Sequence, residues 1–170
     1  MSETPVEIER KYIIALPDIS KLSKMDDYSA SDIEQIYLSS SPQVTHRIRK
    51  RVYNDRCVYT ETKKIRIDKI SSYEDEHEIS GEEYARLSLN IREGSTPLSK
   101  RRHTFSYLGQ TFEIDVYPGW RGSCILETEL DTRERSVEFP DFIKVLKEVS
   151  GIKEYSNSSM SMRFPDEFKI

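Results

Sequence analysis

Val6-Glu7-Ile8-Glu9-Arg10-Lys11-Tyr12-Ile13-Ile14 stands almost at the start of the 170-residue chain. Successive side chains of an extended strand point to opposite faces. Glu7, Glu9 and Lys11 therefore share one face, while Val6, Ile8, Tyr12 and Ile14 share the other with Arg10. One face carries two carboxylates and an ammonium; the other is mostly apolar.

The same device recurs along the chain with both signs of charge. Arg47, Arg49 and Arg51 share a face, as do Glu76 and Glu78, Lys100 and Arg102, Glu113 and Asp115, and Glu127 and Glu129. Many intervening residues are apolar: Ile48, Phe112, Ile114, Val116, Leu126 and Leu130. Alternation alone does not say which face is inside, since a half-buried strand ordinarily wets its polar face. Glu76 and Glu78 fit a solvent face equally well. Grouping by sign favours an interior. A solubility surface intersperses signs, whereas here acids pair with acids and bases with bases.

Outward from these strands, the pattern predicts a predominantly β (α+β) fold. Residues 5–14 form a first strand and 17–26 a short helix. Ser29–Asp32 is a polar break, and Glu34–Ser40 is a strand. Val44–Tyr53 and Arg56–Ile67 form a hairpin about Asn54-Asp55, and residues 73–80 another strand. Glu82–Arg92 reads as a helix, Leu98–Leu108 and Gln110–Tyr117 as a hairpin turning at Gly109, and Cys124–Asp131 as the last strand. In Phe139–Val149, Phe142, Val145, Leu146 and Val149 recur at helical spacing before Gly151, which predicts an amphipathic helix. Tyr155–Met162 reads as a final turn of helix. About eight strands joined by hairpins suit an antiparallel barrel, closed around a small ligand, with a few flanking helices.

Composition bounds the functions. The length suits a single domain, 1–170, with a real core. Charged residues are 33% and hydrophobic residues 36%, which fits a fold that uses charge inside as well as outside. The 10 Tyr and 6 Phe, with Ile, Val and Leu spread along the chain, argue against disorder. The 26 basic and 30 acidic residues give a net charge of −4, so no whole-molecule field draws nucleic acid. No apolar run approaches membrane-spanning length and no secretion signal opens the chain. Cys57 and Cys124 lack metal-ligand spacing and read as a reduced pair, which predicts a cytoplasmic protein. His46, His77 and His103 show no zinc spacing, and Trp120, after Pro118-Gly119, reads as an exposed or capping turn residue.

Grouped charges call for ligands. Two carboxylates about 4 Å apart repel by about 4 kcal/mol at an effective dielectric near 20, and a divalent cation removes that cost. Mg²⁺ prefers oxygen ligands and is commonly shared with phosphates. Arginine forks match phosphate oxygens, and lysine supplies a point charge. Acidic and basic clusters in one cavity thus describe a site for a metal–polyphosphate complex. No P-loop is present.

These residues resemble the CYTH superfamily, the triphosphate tunnel metalloenzymes. Glu7-Ile8-Glu9-Arg10-Lys11 resembles its Glu-x-Glu-x-Lys signature. In order there follow Gln35-Ile36-Tyr37-Leu38, Arg47-Ile48-Arg49, Lys63 or Lys64, Glu76-His77-Glu78-Ile79, Lys100-Arg101-Arg102, Phe112 to Val116, and Leu126 to Glu129. Lys153, Tyr155, Ser156 and Asn157 resemble the segment that plugs one tunnel end. The Arg51 position is extra, and Thr60 to Lys64 permits two registers, each turning a different lysine inward.

The resemblance, strongest to the bacterial-type inorganic triphosphatase branch, implies an eight-stranded antiparallel tunnel with a charged interior. It implies Mg²⁺, or Mn²⁺, held by Glu7, Glu9, Glu127, Glu129 and Asp115. Lys11, Arg47, Arg49, Lys63, Lys100 and Arg102 would bind phosphates, with Lys11 and Glu129 in catalytic roles. The expected reaction is hydrolysis of inorganic triphosphate to pyrophosphate and phosphate. The alternatives are adenylate cyclase, hydrolysis of thiamine triphosphate or RNA 5′-triphosphate ends, and a non-catalytic polyphosphate- or nucleotide-binding module. Tyr37, Tyr117 or Trp120 near the mouth would stack on an organic group. The expected partner is a triphosphate-bearing small molecule, with no membrane and no nucleic acid beyond such RNA ends; a homodimer is left open.

Overall fold

The computed structural model describes residues 6–169. Pro5, assigned above to the first strand, lies outside them. Nine strands run in the order β1 (Val6–Ala15), β2 (Asp26–Leu38), β3 (Val44–Tyr53), β4 (Arg56–Arg66), β5 (Ser71–Ile79), β6 (Leu98–Tyr107), β7 (Gln110–Val116), β8 (Ser123–Glu129) and β9 (Val145–Glu148). Neighbours in the sheet are β5-β4-β3-β2-β6-β7-β8-β1, and an antiparallel β5–β1 pairing closes the barrel. Eight strands thus form a closed antiparallel barrel, as the alternation predicts, and β9 is an addition.

Turn chemistry fixes the hairpins. Asn54 and Asp55 have φ of 46° and 62°, and Leu108 and Gly109 have 48° and 74°. Two consecutive residues at positive φ twist with the strands they join. The register is then Arg47↔Thr62 and Arg49↔Thr60 in one hairpin and Arg102↔Asp115 in the other.

Four expectations change. The 17–26 helix shrinks to α1 (Ile19–Leu22), capped by Asp18, whose Oδ1 accepts from the Ser20 N–H at 2.9 Å. The polar break at Ser29–Asp32 is strand: β2 begins at Asp26 and pairs Ser29 with Thr104 and Ser31 with Arg102. Its polar residues suit a strand wetted on one face and lining a polar lumen on the other. The second helix, α2 (Gly81–Ser88), stops short of Arg92. The amphipathic helix over Phe139–Val149 does not form. β1 pairs with β5 only through Ile8, which leaves its second half one free edge; β9 fills it, with Tyr12 opposite Glu148. An unpaired edge beside the core outweighs a short helical periodicity.

The apolar core lies outside and at one end of the barrel, not inside it. Tyr12, Ile14, Phe105, Phe112, Ile114 and Leu126 face outward beneath Val137, Phe139 and Phe142. Ile36, Leu38 and Ile48 are covered by Tyr84 and Leu87 of α2 (Gly81–Ser88). Ile13, Leu98, Tyr117, Trp120 and Ile125 close one end against Tyr155 and Met160. These last two come from a 3₁₀ turn, Lys153–Tyr155, and from α3 (Asn157–Met162). Trp120 is therefore buried rather than exposed, and its Nε1 donates to the Pro165 carbonyl at 3.0 Å. Among the described residues no helix is long and apolar enough to cross a membrane. Cys57 and Cys124 are free thiols.

Candidate active site

Register partners on adjacent strands share a face, so the lumen lining follows from the pairings. On β1 and β8, Glu9 lies opposite Glu129 and Lys11 opposite Glu127. On β7, Glu113 lies opposite Glu127. On β5, Ser72 lies opposite Glu7, and Glu74 opposite Lys64 of β4. Acids thus line the contiguous arc β7-β8-β1-β5. The other arc, β4-β3-β2-β6, carries Lys64, Arg47, Arg49, Arg51, Lys100 and Arg102, with Ser31, Gln35 and Tyr37 between them. Closure therefore gathers the signs that the sequence only groups, and sets them on opposite halves of one lumen.

The closed end is held by direct ion pairs. Lys100 Nζ sits 2.6 Å from Asp115 Oδ2, both side chains with no solvent exposure. Arg102 clamps the same carboxylate through Nε at 2.7 Å and Nη2 at 2.9 Å, and reaches Glu113 through Nη1 at 2.5 Å. This corrects the metal role of Asp115: both of its oxygens are taken by cations, which outweigh burial and hold its carboxyl well below the usual range. It also ties Lys100 to a counter-ion.

Lys63 is corrected as well. It faces outward and is exposed, whereas Lys64 turns inward, 3.7 Å from Glu74 and 3.9 Å from Glu7. The strand alternation turns one of the pair outward, and the pairing of Lys64 with Glu74 settles which. Tyr37, Tyr117 and Trp120 are all buried and offer no stacking face at the mouth.

Lys11 Nζ lies 3.1 Å from Glu127 Oε1 and donates to the Tyr155 carbonyl at 3.2 Å. The plug thus touches the lumen floor, and Tyr117 adds a bond from its hydroxyl to Asn157 Oδ1 at 2.6 Å. Arg49 donates through Nε and Nη2 to Gln35 Oε1 at 3.0 and 2.6 Å, Arg51 donates to Ser31 Oγ at 2.9 Å, and Thr62 donates to Glu76 at 2.7 Å. Glu74 and the side chain of Gln35 join the site beyond the residues expected from sequence, and Lys64 is the second of the two lysine registers left open there. Glu74 at i−2 from Glu76 extends the acidic alternation and was a legible signal; Gln35 carries no charge pattern to find.

The two arcs neutralise each other only in part. Burial, then the Glu74 carboxyl, pushes Glu7 up to about 8. Burial and Glu127 raise Glu9, and burial with Glu113 and Glu74 raises Glu129. Glu127 is the exception: despite burial, Lys11, Lys100 and Arg102 pull it down to about 2. On the basic side, burial, Arg47 and Arg102 lower Arg49 to about 10. Burial also lowers Lys100 to about 7, with Arg102 and Arg49 adding to it against the pull of Asp115. Arg47 Nε is buried without a hydrogen-bond partner among the described residues. One pole therefore holds carboxyls whose ionisation burial resists, and the other holds cations crowded together in the same way.

This donor set suits a hard divalent cation. Glu7, Glu9 and Glu129 are carboxylates whose ionisation is resisted by burial and by the neighbouring carboxyls of Glu74, Glu113 and Glu127, and a cation reverses that resistance. Among the described residues no three acidic or histidine groups already close around one point at metal-ligand spacing; Mg²⁺ tolerates this, since it usually retains several waters. A groove of about 430 Å³ lies elsewhere, on the outer face of β2, β3 and β6. Its Asp32 and Arg101 pair with each other at 3.0 Å, so it lacks the unbalanced charge of the lumen. His46 and His77 both lie against Glu61 on the outer face, at 2.7 and 3.1 Å, and His103 packs on Tyr28.

No family model and no curated protein matches the chain. Solved structures do. The inorganic triphosphatase NE1496 is 24% identical, with 97% of this chain and 98% of that chain covered and a TM-score of 0.59. PH1819 from Pyrococcus horikoshii OT3 is 23% identical over 75% and 80% of the two chains, with a TM-score of 0.56. HpAC1 from Hippeastrum, with its dominant triphosphatase activity, is 17% identical over 75% and 81%, with a TM-score of 0.51. At these identities the likeness defines a fold: a closed antiparallel β-barrel, here lined with ionisable side chains.

Proposed function

We propose that the protein is a metal-dependent triphosphatase of the CYTH superfamily, hydrolysing inorganic triphosphate to pyrophosphate and phosphate. The observation that carries this reading is the split lumen, with Glu7, Glu9, Glu74, Glu127 and Glu129 on one arc and Arg47, Arg49, Lys64 and Arg102 on the other. A metal–triphosphate complex satisfies both. The fold likeness to the inorganic triphosphatase NE1496 supports it, and two free thiols suit a reducing cytoplasm.

Glu7, Glu9 and Glu129 would hold the cation. Bound there, Mg²⁺ or Mn²⁺ would neutralise these carboxylates and polarise the phosphoryl oxygens it shares with them. Arg47, Arg49, Arg102 and Lys64 bind the phosphate chain, Arg47 through a buried Nε that has no partner among the described residues. Lys11, with Glu127 holding it charged at 3.1 Å, stabilises charge developing on the departing pyrophosphate. Glu129, exposed at the mouth, orients the attacking water.

The test is phosphate release from inorganic triphosphate, ATP and thiamine triphosphate, each with Mg²⁺, Mn²⁺ or EDTA. The expected outcome is rapid release from inorganic triphosphate that EDTA abolishes, and at least a roughly 100-fold loss in Glu9→Gln with an unchanged circular dichroism spectrum. Near-normal rates in Glu9→Gln would defeat the site assignment. Cyclic AMP formed from ATP would replace hydrolysis with cyclisation.

A further inference from the structure

We propose that the protein forms a two-fold dimer through the outer face of β1, β4 and β5, and that Lys63 and Asp75 set its register. Four of the large exposed hydrophobic side chains converge there: Val6 at 47% exposure, Ile65 at 46%, Ile67 at 45% and Tyr73 at 44%. They are neighbours by register. Val6 lies opposite Tyr73 and Tyr73 opposite Ile65, and Ile67 lies just past the end of β4. A contiguous apolar row on a barrel wall, away from the lumen, is unusual for a surface that meets only water.

The next row identifies the occupant. Two residues along each strand, Lys63 of β4 lies opposite Asp75 of β5. Both are exposed. Although they are cross-strand neighbours of opposite charge, neither makes an ion pair among the described residues. A two-fold axis parallel to the strands, running between β4 and β5, carries β4 of one copy onto β5 of the other at the same height. Ile65 then packs on the second copy's Tyr73, and Lys63 meets the second copy's Asp75. The face is therefore self-complementary in shape of row and in charge, which is what an isologous interface requires. A stable interface buries roughly 800 Å² per partner; the apolar row forms its centre and the charged row its rim.

The experiment is sedimentation velocity or light scattering of the full chain, with charge reversal. Wild type is expected at twice the 19.9 kDa chain mass. Tyr73→Glu is expected at the single mass with triphosphate binding retained, since Tyr73 lies on the outer wall. Lys63→Asp and Asp75→Lys, each alone, are expected to shift the dissociation constant upward at least 10-fold. Mixing these two single variants restores the dimer in trans, because each then meets its complement at both symmetric contacts. A monomeric wild type at about 100 μM overturns the proposal. So does a dimer that both single variants leave intact, or one that their mixture fails to restore.

Discussion

Asp115 organises the deepest part of the lumen by holding two cations at once, Lys100 at 2.6 Å and Arg102 through two further bonds. Removing its charge takes from buried Lys100 its ion-pair partner and leaves Arg102 only Glu113 and the more distant Glu127. Asp115→Asn is expected to cost about 3–5 kcal/mol, measured by urea unfolding; a loss under about 1 kcal/mol would show that the cluster is not a structural anchor. Glu7 makes a second prediction through its proton. Its carboxyl is raised from 4.5 to about 8 in the folded protein. The stability this group contributes is thus fully present below 4.5 and is lost as pH rises through about 8. In EDTA, the thermal midpoint of wild type relative to Glu7→Gln should fall across that window. Mg²⁺ selects the ionised carboxylate, so its binding should release protons and tighten as pH rises through about 8. Titration calorimetry in buffers of different ionisation enthalpy reads that release, and a pH-independent affinity would contradict it. The charges of these residues are visible in the sequence; their unbalanced burial is not.

At the scale of elements, hairpins were legible in full and helices in part: α1, α2 and α3 form within or across the expected segments, and only the Phe139–Val149 helix is absent. The β3–β4 hairpin falls where Asn54-Asp55 predicts it, because the turn needs two residues that tolerate positive φ. The β6–β7 turn breaks this preference at Leu108, which sits at φ 48° and is 60% exposed. Little burial is at stake there, so Leu108→Asn should stabilise by about 1 kcal/mol. A higher denaturant midpoint at unchanged slope would show it; a lower midpoint would mean that the leucine has a packing role. The Phe139–Val149 segment shows the opposite failure. Its apolar spacing fits a helix, but Phe139 packs on Tyr12 with ring centroids 5.0 Å apart while Val145–Glu148 completes the edge of β1. Local periodicity carries no information about an edge left open by strands far away in sequence.

The whole molecule keeps its apolar packing outside the barrel wall and at the plugged end, and its charges within. Trp120 ties the plug down: its ring meets Tyr117, Phe164 and Tyr155 at centroid distances of 5.9, 5.4 and 6.5 Å. Trp120→Ala should cost about 3–5 kcal/mol and raise amide exchange through residues 153–162 more than in β6. Exchange rising uniformly would mean that plug and barrel unfold together. Freed of the plug, Lys11 would lose the Tyr155 carbonyl at 3.2 Å, so the change reaches the lumen.

Taken by itself, the sequence determined the alternation of charge along each strand, the sign each strand carries and the turns that make neighbours antiparallel. Those are properties of residues two apart, fixed by strand geometry. Only the tertiary structure decided that Lys64 and not Lys63 faces the lumen, that Asp115 answers cations within the fold, and that β5 meets β1. That last contact closes the barrel and brings Glu7 and Glu74 into one acidic arc. It joins strands some sixty residues apart, and its energy comes from pairing and burial across the barrel, which no local pattern encodes.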